Sequence, residues 1–401
     1  MKYAIVILDG AAGYPLDVWG KKTTLEAANT PNLDKLCEAG EVGLAKNTPD
    51  GFEASSNIAC TSICGYDPAK YPIGRGALEG AALGINLAAD EVAMRTNLVN
   101  ISQDGIMVSY STDNISSDDG SLLYAELAAA LDDDTFTLHT GTGFRGILVV
   151  KGHTELMDAA FPAAHNMADE PVDKYAWTGP KGVLELIRSY EARAKEVLAN
   201  SPVNVRRAAD GKMCATDLLA FWPGQKPGSM EPFYKAYGKR ACMISGVDLL
   251  QGIAMLSDID CRRVAGVTDG ADNDYAAQGA AAVEALNDYD VVICHVEAPD
   301  AEGHDGNAVG KKEAVEAIDR EIVARLCDYA KDANTPDLRI LALPDHPTPV
   351  ATKRHGQEMV PFVMAGDGIE HNGAKRLTEA MANATGLVVD PGCALMGKLL
   401  S

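Results

Sequence analysis

The feature that most constrains this chain is a set of short apolar runs that each stop at an acid. Lys2–Leu8 ends at Asp9-Gly10, the run over 291–296 is followed by Glu297 and then Asp300, and the run over 339–343 leads into Asp345-His346. Further apolar runs occupy 241–245 and 360–365. An unbroken apolar run, without alternation, marks a strand buried on both faces, as in a parallel sheet. Helical patterns lie between the runs. Thr30-Pro31-Asn32 predicts a helix start with Thr30 as N-cap and Pro31 in the first turn, closed by Gly40. Ala314, Ile318, Ile322 and Leu326 make one stripe of a helix over about 311–331. Strands alternating with helices predict an α/β fold, a parallel-sheet core with helices on both faces.

The middle of the chain reads differently. Thr135–His139 and Ile147–Val150 are short and alternating, with turn signals between them, and a helical pattern over about 180–199 gives way to a polar stretch. We expect an inserted α+β cap domain over 87–225, with 1–86 and 226–401 forming the core. For 401 residues, two domains is the natural division.

A formal charge of −22 argues against nucleic acid and against anionic membranes as partners. It would also repel a phosphorylated acid at long range, so such a substrate needs local positive charge from metal ions and arginines. No apolar run is long enough to span a bilayer. The N-terminal run is short and lacks a small-residue cleavage site, so it reads as a strand and the expected location is cytoplasmic. Nine cysteines, with no C-x-x-C pair, read as reduced residues; Cys60 and Cys64 make a poor zinc signature.

Groups just beyond the carboxyl ends of parallel strands converge on one crevice. A single Asp there is often a helix cap. Here Asp9, Asp300 and Asp345 are accompanied by His304, His346 and His355. Three carboxylates and three histidines suit Mn²⁺, Mg²⁺ or Zn²⁺ and are numerous enough for two ions. In Ala54-Ser55-Ser56-Asn57-Ile58 a polar turn feeds an apolar helix. A serine there could be an N-cap, or a nucleophile whose phosphoryl group meets free N–H groups and the positive end of the helix dipole. Gly141–Gly146 matches G-x-G-x-x-G but runs into a strand, where a dinucleotide fingerprint must open a helix, and no Walker A sequence is present.

Leu8-Asp9-Gly10, Thr30-Pro31-Asn32-Leu33-Asp34, Gly65-Tyr66-Asp67-Pro68, Gly74-Arg75-Gly76-Ala77-Leu78-Glu79, His295-Val296-Glu297-Ala298-Pro299-Asp300, Gly303-His304-Asp305-Gly306 and Asp345-His346-Pro347-Thr348-Pro349 stand in one order along the chain. Together they resemble the archaeal-type 2,3-bisphosphoglycerate-independent phosphoglycerate mutases of the alkaline phosphatase superfamily. The resemblance runs from residue 1 to about 365. It implies an alkaline-phosphatase-like core and two divalent ions, Mn²⁺ first, with Zn²⁺, Co²⁺ or Mg²⁺ as alternatives. Asp300, His304 and His355 would hold one ion; Asp9, Ser56, Asp345 and His346 would hold the other, which activates Ser56. The implied reaction moves the phosphoryl group of 3-phosphoglycerate onto Ser56 and back to the other hydroxyl of the retained glycerate.

Arg95 and Arg145 resemble family arginines that hold the substrate's phosphate or carboxylate. The implied partner is thus a small phosphorylated hydroxy acid, and a homo-oligomer is compatible with the resemblance. A related phosphotransferase such as a homoserine kinase, or a metal-dependent phosphatase, is the alternative. Ser55-Ser56-Asn57 departs from the usual Gly-Ser-Asp, Gln251 stands where lysine is expected, and His165-Asn166-Met167 replaces a His-Asp-Ile segment.

Overall fold

A computed structural model of the chain describes residues 1–71, 73–225, 230–332 and 334–401. These divide into two compact units, Met1–Pro72 with Ser229–Ser401, and Ile73–Gly228. The first border falls at 73, not at the expected 87. The helix Arg75–Ala82 packs on the strand Glu91–Ile101 and so counts with the inserted unit. The expected return at 226 lies outside the described residues.

The first unit is built on an eight-stranded sheet in the order Val388–Val389, Glu41–Ala45, Val360–Ala365, Leu338–Leu343, Lys2–Leu8, Val291–Val296, Ala241–Ile244, Asp260–Cys261. Lys2–Leu8 lies at its centre, parallel to both neighbours. From Tyr3 to Leu8 every residue is buried, as is all of Val291–Val296. Successive strand residues point to opposite faces, so both faces of the sheet are covered. The run at 360–365 is a strand, but it pairs antiparallel with Leu338–Leu343 and with Glu41–Ala45. It follows its neighbour through a connection without a crossover helix, and a parallel return needs one.

The register places the site. Leu8 pairs with Val296, and Ile7 with Leu343. The three central strands therefore end level, and the acids that follow them emerge at one edge.

The stripe at 314, 318, 322 and 326 is buried. Its helix is interrupted by a π-helical turn at Asp319–Val323 between Ala308–Ile318 and Ala324–Lys331. Asp319 in that turn accepts hydrogen bonds from the Asn32 and Leu33 amides, at 3.1 and 2.7 Å for Oδ1. The helix Pro31–Ala39 is thus capped by a distant carboxylate. Thr30, the expected cap, makes no such side-chain bond.

In the inserted unit an antiparallel sheet runs Met107–Ser109, Glu91–Ile101, Arg145–Lys151, Phe136–Thr140, and Asp217–Gly224 also pairs with Glu91–Ile101. That last strand falls in the stretch read as polar. Its pairing shifts register beside Trp222, which has φ of 53°, and that break hides the alternation. The helix over 180–199 is present as Lys181–Ala199 and buries Val183, Ile187, Tyr190, Ala194 and Leu198. On Arg75–Ala82, a Cβ at Gly76 would lie 2.2 Å from the Ala93 carbonyl, so only glycine allows this close approach.

Candidate active site

Beyond the level strand ends, Asp9, Asp300, Asp345 and His346 are each at most 4% exposed. The backbone holds the carboxylates. Asp345 Oδ1 accepts from the Gly10 amide at 3.0 Å and from the His346 amide at 2.7 Å. Gly10 takes φ of 61°, and a Cβ there would lie 2.4 Å from Asp300 Oδ1. Asp300 and His304 lie one turn apart on the helix Ala298–Asp305, with His304 Nε2 3.2 Å from Asp300 Oδ2.

His304, His355 and Asp300 form a compact group. The His304 Nδ1–H donates to the Lys353 carbonyl and the His355 Nδ1–H to the Ala54 carbonyl, both at 2.9 Å. This turns the two Nε2 atoms toward each other at 2.9 Å, with Asp300 Oδ1 3.6 Å from that of His355. Backbone acceptors on the far nitrogens are the usual support of metal-binding imidazoles. In the chain alone, burial raises the Asp300 carboxyl, but bonds to the two imidazoles outweigh it and hold the group well below its ordinary range. His304 is pushed up to about 9, chiefly by Asp300.

The second group surrounds Ser56. Ser56 opens the helix Ser56–Ile63, whose N-cap residue Ser55 makes no side-chain cap bond. The Ser56 Oγ lies 3.2 Å from His346 Nε2, and Ser55 Oγ instead donates to the Glu53 carbonyl. His346 Nε2 is 3.2 Å from Asp345 Oδ2 and 3.8 Å from Asp9 Oδ1. One ligand atom each from Asp9, Asp300 and His346 lies within 4.8 Å of the others, so Asp300 faces both groups where the sequence placed it in one. The Asp9 Oδ1 is buried without a hydrogen-bond partner. Burial first, then Asp345 and Asp300, push the Asp9 carboxyl well up. Buried carboxylates with an orphaned oxygen are costly unless a cation completes them. The donor set of carboxylates and imidazoles fits divalent ions.

Four residues without an assigned role in the sequence reading support these ligands. Thr348 Oγ1 donates to Asp300 and lies 3.2 Å from His346 Nδ1, joining the two groups. Lys311 is fully buried; its Nζ donates to the Thr348 carbonyl at 2.6 Å and the Ala12 carbonyl at 3.1 Å. His295 touches Asp9, and the Glu297 Oε2 is buried without a partner. A lysine on the buried side of a helix and a histidine inside an apolar strand were the available signals, since each must find polar partners.

Arg95 and Arg145 belong to the inserted sheet. Arg95 is 7% exposed; its Nη1 donates to Glu79 and its Nε to Asn97 Oδ1 at 3.1 Å. Arg145 is exposed, with its guanidinium 5.1 Å from the Phe144 ring centre. Arg75, quoted only within its motif, bonds Glu79 Oε1 at 2.8 Å and stacks on Trp222 at 4.1 Å.

Among the described residues, no helix is long and apolar enough to cross a membrane. Residues 37–204 match the family described as 2,3-bisphosphoglycerate-independent phosphoglycerate mutase. A Methanosarcina mazei protein of that name is 40% identical over 364 residues, 91% of this chain and 90% of its own. A Geobacter sulfurreducens protein named as a probable enzyme of this kind is 35% identical over 409 residues, covering all of both chains. A solved Pyrococcus horikoshii structure has a TM-score of 0.83 at 28% identity, over 100% of this chain and 96% of that one. The cofactor-independent phosphoglycerate mutase of Thermoplasma acidophilum shares the fold, with a TM-score of 0.65 at 21% identity over the whole of both chains. With such identity along nearly its whole length, the chain belongs to the 2,3-bisphosphoglycerate-independent phosphoglycerate mutase family.

Proposed function

We propose that this protein interconverts 3-phosphoglycerate and 2-phosphoglycerate through a phosphoserine on Ser56, without 2,3-bisphosphoglycerate. The observation that carries the reading is the place of Ser56: its Oγ is 3.2 Å from His346 at an uncapped helix N-terminus, beside buried carboxylates. Asp300, His304 and His355 would hold one divalent ion, and Asp9, Asp345 and His346 another, next to Ser56. Such ions supply positive charge that eases loss of the serine proton and offsets charge on the transferring phosphoryl oxygens.

The Ser56 oxygen attacks phosphorus, the bond from phosphorus to the C3 oxygen of glycerate breaks, and that oxygen takes up a proton. The retained glycerate turns, its C2 hydroxyl attacks the phosphoserine and loses its proton, and Ser56 is regenerated. The backbone N–H groups opening the helix Ser56–Ile63 favour the phosphoryl group while it rests on Ser56. Arg95 and Arg145 are the guanidinium groups we assign to the substrate's phosphate or carboxylate.

The test is conversion of 3-phosphoglycerate by metal-loaded protein with no bisphosphate present. Mass spectrometry of enzyme quenched during turnover should find phosphate on Ser56. Release of inorganic phosphate without 2-phosphoglycerate would identify a phosphatase instead.

A further inference from the structure

Inside the strand Val291–Val296, His295 is the polar exception, and both its side chain and that of Asp9 are fully buried. His295 pairs with Ile7 across the sheet, so Asp9, two residues on, emerges toward the same face. Its Nε2 lies 2.6 Å from Asp9 Oδ2, while Glu297 Oε2 is 3.6 Å from the same nitrogen. The short contact therefore goes to Asp9. With a cation on its other oxygen Asp9 would be ionised and bring no hydrogen to this contact, which then places the hydrogen on Nε2.

The other ring nitrogen agrees. His295 Nδ1 lies 3.0 Å from Ser245 Oγ, which accepts the Val247 amide at 3.0 Å and keeps its own hydrogen available for Nδ1, the partner an Nε2–H ring requires. Two further bonds hold the frame: Gln278 Nε2 donates to the His295 carbonyl at 2.7 Å, and Gln251 Nε2 to the Ser245 carbonyl at 3.2 Å. Gln251, the position where lysine was expected, thus steadies the serine end of the relay.

We infer that His295 is a positioning residue: held by Ser245 in its Nε2–H form, it engages one oxygen of Asp9 and leaves the other, the partnerless Oδ1, facing His346, where it would serve a divalent ion. The inference rests on the two-ion reading, and it states how Asp9 is oriented within it. A carboxylate free to rotate could turn either oxygen, or both, away from the ion. Outer-shell partners that fix a ligand are worth about 10–100-fold in metal affinity.

The test is calorimetric titration of Mn²⁺ into chelated wild type, H295Q and H295L, with thermal melts to verify folding, and ¹⁵N NMR of the histidine tautomers. Glutamine keeps a donor near the Nε2 position; leucine fills the space without one. H295L should bind Mn²⁺ at least about tenfold more weakly and H295Q within a few-fold of wild type. The NMR pattern of His295 should be that of a neutral Nε2–H ring. Equal affinity in H295L, or equal loss in H295Q and H295L, would overturn the inference, the latter by pointing to packing alone. Should H295L not fold, an Nδ1–H tautomer in the wild type, or unchanged affinity in S245A, overturns it. If the wild type binds no Mn²⁺, the ion reading fails, and the tautomer still tests the clamp separately.

Discussion

Glu79 and Asp119 of the inserted unit and the strand-end acids of the first unit keep different company. In the inserted unit Glu79 is answered by Arg95 and Arg75, and Asp119 by Arg206 and Arg207. Burial opposes ionisation of Glu79, yet the two guanidinium groups outweigh it and hold the carboxyl below its ordinary range. In the first unit Asp9, Asp300 and Asp345 gather with imidazoles, and an oxygen of Asp9 and one of Glu297 stay unpaired. The buried ammonium group of Lys311 donates to two carbonyls. Glu79 and Asp119 are answered by guanidinium groups of the polypeptide itself. Among the described residues, the strand-end acids have no guanidinium or ammonium partner, and the orphaned Asp9 oxygen suits a cation.

The largest effect expected from this contrast is at Ser56. Ser56→Ala should lower turnover by several orders of magnitude and abolish the phosphoserine seen by mass spectrometry, because the covalent route itself is removed. Turnover within tenfold of wild type would remove the serine from the mechanism.

Glu79→Gln strikes a carboxylate answered by guanidinium groups. It leaves Arg95, 8% exposed at its side chain, without its carboxylate, and should cost about 3 kcal/mol in denaturant unfolding. Asp9→Asn in chelated protein should do the reverse, leaving stability equal or higher while Mn²⁺ affinity collapses. Equal destabilisation by both substitutions would erase the distinction between the guanidinium-paired acids and the strand-end cluster.

The pH dependence sharpens it further. Burial pushes the Asp9 and Glu297 carboxyls well up, with their neighbouring acids adding to the effect. The folded, chelated protein therefore holds protons that the unfolded chain has released, and stability from them is present at low pH and lost as pH rises. Melting temperature of chelated protein should fall as pH rises above the ordinary carboxylate range, and Mn²⁺ should flatten that fall. The Glu79 contribution has the opposite sign: it is present above the ordinary glutamate range and lost as pH drops through the lowered value. A chelated protein that melts independently of pH above the ordinary carboxylate range would show that the acid cluster is neutralised by some other route.

Ser55→Ala should have the smallest effect. Ser55 makes no cap bond to the helix it precedes, so stability should change by no more than about 0.5 kcal/mol and turnover only modestly. Phosphate appearing on Ser55 would reverse the assignment of the two serines.

Much of this was legible in one dimension. Apolar runs ending in Asp9, Asp300 and Asp345 announce buried strands with acids at their carboxyl ends, because burial on both faces leaves no room for alternation. The i, i+4 spacing of Asp300 and His304 carries its own geometry once a helix is granted. The partly polar strand Asp217–Gly224 was not legible, since its register break at Trp222 removes the period that announces a strand. Nor was the cap on Pro31–Ala39, because Asp319 arrives from 287 residues away.

The amino-acid sequence by itself thus determined the strand core and the ligand types, since hydrophobic period and donor chemistry are local properties. Only the tertiary structure decided which serine turns to His346, that Asp300 serves both groups, and that His295 grips Asp9 across a separation of 286 residues. Those are matters of register: Leu8 must end level with Val296 and Ile7 must pair with Leu343 before any of these side chains can meet.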